Sequence, residues 1–102
     1  MTNQTCEHHL ESQDRFDRWE EEGGIVMIGG DAEERREFAT AFLGATWQSG
    51  VPVAVYDRDG VIQVYVDRDG MNFHEAEEFF AFNTERAYTG KQTPIFVDAS
   101  CY

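Results

Sequence analysis

Three observations predict an α+β domain of ferredoxin-like order, βαββαβ. Two helix starts are written as capping boxes, two adjacent valine-rich runs flank an Asp-Gly turn, and a short apolar run stands near each end. That order builds a four-stranded, mostly antiparallel sheet with two helices on one face. A chain of 102 residues, 41% of them hydrophobic, has apolar material for one core. The expected division is an N-terminal segment at 1–24 and a single domain at 25–102.

In chain order, residues 12–22 read as a short helix. Phe16 and Trp19 stand three apart, and Gly23 is the stop, although three glutamates at the C-terminal end oppose the helix dipole. Ile25–Ile28 is a short apolar run, read as a buried strand ended by Gly29 and Gly30. Asp31 with Glu34 then opens a helix from 32 to about 48, whose inward stripe is Phe38, Ala41, Phe42 and Ala45. Runs 51–56 and 61–66 form a hairpin around Asp59-Gly60. Its period of two places Val53, Val55, Ile62, Val64 and Val66 inward, and Tyr56 and Tyr65 on the other face. Asn72 with Glu75 caps a second helix over 73–89, with Phe73, Ala76, Phe80, Asn83 and Ala87 inward. Residues 94–97 supply the last strand.

The chain says Asp-Arg-Asp-Gly twice, at 57–60 and 67–70. A calcium loop wants glycine sixth and glutamate twelfth, whereas here glycine is fourth, so both copies read as turns. Gly29-Gly30-Asp31 holds the position of a phosphate loop but lacks its glycine pattern, and carboxylates occupy the anion's place. Cys6, His8 and His9 match no zinc spacing, and Cys6 and Cys101 read as reduced thiols. His74 reads as a solvated or cap-associated residue. No nucleophile–histidine–acid set can be assembled, so the expectation is a protein without catalytic residues, metal or cofactor.

Charge narrows the partner. Twenty acids face eight bases, a net −12 spread over both halves, with Lys91 the only lysine. Such a field repels phosphate backbones and attracts basic surfaces, including the nucleic-acid grooves of other proteins. Solubility and a salt-adapted host explain the same composition. No apolar run is long enough to span a bilayer and the N-terminus carries no secretory pattern, so the expected location is the cytoplasm.

Three surfaces are open to a partner on this reading. On the second helix Phe82 falls opposite Phe80, among Glu75, Glu78 and Glu85. The first helix offers Asp31, Glu33 and Glu37 as phosphate stand-ins, with Leu43 and Trp47 off its inward stripe. The third surface is the sheet face with Tyr56 and Tyr65. The expectation is a small acidic binding module that blocks a basic, nucleic-acid-binding protein surface as a charge mimic. In size and acidity alone it resembles phage- and plasmid-encoded anti-defence inhibitors, anti-CRISPR proteins among them. The alternative is a structural or regulatory ferredoxin-like domain that self-associates through its sheet as a homodimer, its acidity serving solubility.

Overall fold

The computed structural model describes residues 7–85 and 90–98. Cys6, Cys101 and the end of the helix expected over 73–89 lie outside them. The fold is α+β, with several helices around a three-stranded mixed sheet of order β1-β2-β3.

Helix α1 spans Glu7–Glu22 and ends on Gly23, whose amide donates to the Trp19 carbonyl. Phe16 puts this helix into the core, where it is fully buried. Helix α2, Ala32–Glu37, starts as its sequence dictates, with the Asp31 side chain accepting from the Glu34 amide at 2.8 Å. It stops after six residues. A 3-10 turn, Ala39–Ala41, leads into strand β1, Phe42–Gln48, and Ser49-Gly50 turns the chain into β2, Val51–Asp57. Both turn residues have positive φ, 53° and 82°, as a two-residue hairpin loop of the primed type requires. The expected long helix over 32–48 is therefore a short helix and a strand.

Residues 61–66 correct the expectation a second time. They lie in helix α3, Arg58–Asp69, and no hairpin is centred on Asp59-Gly60. Val61, Ile62 and Tyr65 are its buried residues. That spacing of one and three is helical, and burial of this stripe outweighs the β preference of four valine and isoleucine side chains. The first Asp-Arg-Asp-Gly starts the helix and the second ends it, with Gly70 left-handed at φ 72°. Ile25–Ile28 belongs to no strand. With neither 25–28 nor 61–66 in the sheet, the four-stranded ferredoxin-like arrangement is replaced by β1 and β2 antiparallel, and β2 parallel to β3, Ile95–Val97. Helices α3 and α4, the latter Phe73–Phe80, make the crossover that a parallel pair needs.

The core is a row of rings across the sheet. Phe42 faces Tyr56, which faces Phe96 on the next strand, so all three share one side. Their centroids are 5.5 and 6.0 Å apart. Phe16 of α1 closes one end at 6.1 Å and Phe80 of α4 the other at 4.9 Å, both edge-on. Tyr56 and Tyr65, expected on an open sheet face, are 0% and 4% exposed. Tyr56 accepts the Ile28 amide hydrogen at 3.2 Å, and burial pushes its phenol up to about 12. No helix among the described residues is long and apolar enough to cross a membrane.

Candidate interaction surface

The outer face of α4 begins with its cap. Asn72 accepts from the Glu75 amide at 2.8 Å, and the Glu75 carboxylate accepts from the Asn72 amide at 3.1 Å. This closed box fixes where the helix starts and so which residues point outward. Ala76 and Phe80 go inward. After Phe80 the chain widens into a π-helical turn, Ala81–Glu85, braced by Asn83, whose side-chain amide donates to the Phe79 carbonyl at 3.1 Å. The hydroxyls of Thr84 and Tyr65 also hydrogen-bond, tying the turn to α3. Such turns recur at functional sites because they break helical phase.

Phe82 leaves this turn 71% exposed. Beside it lies a hollow of about 430 Å³ lined by Met71, Glu75, Glu78, Phe79, Phe82 and Asn83. Glu78 approaches His74 at 3.4 Å. Among the described residues no arginine or lysine pairs with Glu75, Glu78 or Glu85. The surface joins an apolar floor to a carboxylate rim.

Elsewhere four arginines are used within the fold. Arg35 meets Glu20 and Arg36 meets Asp17, each at 2.7 Å, binding α2 to α1. The Glu20 hydrogen bond raises the Arg35 pKa further above its usual range. Arg58 reaches Glu77 at 3.3 Å. Arg68 collects Glu37 at 2.9 Å, Asp69 at 3.0 Å and Glu34 at 3.6 Å, and lies over the rings of Tyr65 and Phe38. Its hydrogen bonds to Asp69 and Glu37 raise its pKa, and the same guanidinium lowers that of Asp69.

The expected contact residues therefore separate. Glu75, Glu78 and Phe82 meet around one hollow, and Glu85 sits in the same exposed turn. Asp31 and Glu37 are engaged, one as a helix cap and the other with Arg68, and Glu33 stands exposed on α2. Tyr56 and Tyr65 are core residues, so the sheet face named for homodimers is absent. Trp47 is 66% exposed, with the Trp19 ring 6.5 Å from it. Met71 and Phe79 were not expected at the surface, although Phe79-Phe80 followed by Phe82 cannot all turn inward on a helix.

Between Glu34 of α2 and Phe79 of α4 runs a groove of about 510 Å³. Loop residues 26–30, Glu34, Phe38, Arg68, Phe79 and Phe96 form its walls, with Tyr65 among them. Phe79 and Asn83 belong to both this groove and the hollow beside Phe82. Comparison with protein-family models, curated proteins and solved structures finds no match to the chain.

Proposed function

We propose that the protein is a non-catalytic binding module that docks on a basic, nucleic-acid-binding surface of another protein through the outer face of α4, and so blocks that surface. The observation that carries this reading is Phe82, a large exposed ring beside an apolar hollow lined by Glu75 and Glu78, with Glu85 in the same turn and no arginine or lysine paired to these acids among the described residues. A desolvated aromatic anchor inside a charged rim is the usual energetic layout of an interface. The carboxylates stand where phosphates would stand on a nucleic acid, and the net charge of −12 steers the encounter. Arg35, Arg36, Arg58 and Arg68 are held in internal pairs, which reduces their share of the outward field. Such a partner puts the site of action in the cytoplasm, the host's if a phage or plasmid encodes the chain. An inhibitor of a defence or repair nuclease fits this description.

Affinity capture from a bacterial lysate at low and high salt tests the reading. Nucleic-acid-binding proteins should be retained at low salt, released as salt rises, and displaced by duplex DNA. The Phe82→Arg variant should retain none of them. Retention of no such protein at low salt, or retention that DNA does not compete, contradicts the proposal.

A further inference from the structure

The outer edge of β1 carries an inference independent of the α4 surface. β1 stands first in the sheet order, so among the described residues no strand lies on its far side. Its register decides which groups face that way. The two-residue loop Ser49-Gly50 makes Gln48 and Val51 a hydrogen-bonded pair, and such pairs alternate along an antiparallel ladder. Thr46 is therefore bonded to Val53, while Trp47 opposite Pro52 and Ala45 opposite Ala54 are not bonded across the pair. Pro52 agrees with this phase. It has no amide hydrogen to give β1, and its carbonyl accepts at 3.0 Å from the side chain of Gln92, which precedes β3 on the other side of β2. The main-chain groups of Ala45 and Trp47 thus point outward, on alternate residues, and those of Thr46 between them point into the sheet. Ala45 and Thr46 are half-buried, whereas their cross-strand neighbours Ala54 and Val53 are fully buried, so the exposure comes from this outer side. The Arg15 side chain donates to the Leu43 carbonyl at 3.4 Å, ahead of these residues.

A knob and a hollow stand on one face of this edge. Ala45 and Trp47 are two apart in a strand and so share a face. Trp47 is 66% exposed, and at Ala45 lies a hollow of about 400 Å³ lined by Arg15, Arg18, Trp19, Leu43, Gly44 and Ala45. We propose that a second copy of the chain occupies this edge, its β1 antiparallel to the first about a two-fold axis at Thr46. That axis sets Ala45 opposite Trp47 of the second copy, and Trp47 opposite its Ala45, the very residues whose main-chain groups face outward. Each pair exchanges two hydrogen bonds. Each indole enters the hollow beside the small alanine of the other copy, against Trp19 and the two arginines. Knob and hollow are matched by one operation, as an isologous interface requires. Residues 42–56 carry no charged side chain in a chain of net charge −12, and 45–48 hold none of the lysine, proline or bulge that blunts an edge. The two strands therefore meet without setting acid against acid at the contact.

Sedimentation equilibrium of the full chain from about 1 μM to about 1 mM, at low and high salt, tests the pairing. The edge is short for a specific interface, so the dimer should form within that range and dissociate on dilution. Each copy carries −12, so added salt should strengthen the dimer, the opposite sign to binding of a basic partner through α4. Amide exchange followed by NMR should show Ala45 and Trp47 slowed at least about tenfold at the concentrated end, with Thr46, already bonded to Val53, changed little. Trp47→Ala removes the knob and Ala45→Leu fills the hollow. Each should weaken the dimer at least about tenfold while the circular dichroism spectrum stays native. If one variant fails to fold the other decides, and if both fail the amide pattern decides. A chain still monomeric at about 1 mM in high salt overturns the proposal. So does a dimer that either folded variant leaves unchanged, or one in which the Ala45 and Trp47 amides exchange no more slowly.

Discussion

Replacing Tyr56 with phenylalanine separates two consequences of one buried hydroxyl. Tyr56→Phe keeps the ring between Phe42 and Phe96, but leaves the Ile28 amide without its acceptor. Losing that bond should cost about 1–1.5 kcal/mol at neutral pH, a fall of roughly 4–10 °C in Tm for a domain of this size. At high pH the sign turns. Burial raises the Tyr56 pKa from 10.0 to about 12, so the folded chain keeps a proton that the unfolded chain releases. The stability tied to that proton is complete below the unfolded pKa and is lost as pH climbs through the folded one. The native protein should lose roughly 1 kcal/mol from this source by pH 11 and roughly 3 kcal/mol beyond the folded pKa. The variant has no such loss. Urea unfolding followed by tryptophan fluorescence from pH 7 to 11.5 should therefore show the two stabilities converging near pH 11 and crossing above it. A gap that stays constant with pH would refute the reasoning.

Three further substitutions check the fold. Phe80→Ala removes a fully buried ring packed edge-on against Phe96 and should cost about 3–5 kcal/mol by chemical denaturation. Asn72→Ala opens the capping box of α4 and should cost about 1 kcal/mol, while Asn72→Asp, which can still accept from the Glu75 amide, should cost much less. Gly29→Ala places a methyl carbon 2.7 Å from the Arg35 main-chain nitrogen at a φ of 122°, so a loss of about 2 kcal/mol or more is expected in a thermal melt.

The locally encoded parts of this fold were legible. Asp31 and Asn72 cap helices that start where their sequences say, and β2 is the run of alternating valines. Residues 38–48 misled because Phe38, Ala41, Phe42 and Ala45 fit a helical stripe, while the chain spends them on a 3-10 turn and a strand. Two local signs pointed the other way. Gly44 needs a φ of 136°, and Ser49-Gly50 is a hairpin turn rather than a helix stop. Residues 61–66 misled for a tertiary reason. The run is rich in β-branched residues, but Val61 and Ile62 are adjacent and both buried, which breaks strand alternation and fits a helix packed under Phe38 and Phe79. At the candidate surface, helical geometry alone was enough to turn Phe82 outward among acids. It could not find the groove, which exists only once loop 26–30, α3 and β3 come together. Tyr56 and Tyr65 share an open face only if residues 51–66 form a hairpin, and residues 58–69 are helical instead.

The most direct test of the central claim is the salt dependence of binding to a retained nucleic-acid-binding protein. It compares the native chain with Glu75→Gln/Glu78→Gln/Phe82→Ala. Glutamine preserves the capping box, and Phe82 is exposed, so the variant should fold with stability within about 1 kcal/mol of the native chain. By calorimetry at several salt concentrations, the native chain should lose affinity steeply as salt rises. The variant should bind at least about tenfold more weakly, with a shallower slope. Equal affinities and equal slopes for the two proteins would contradict the account.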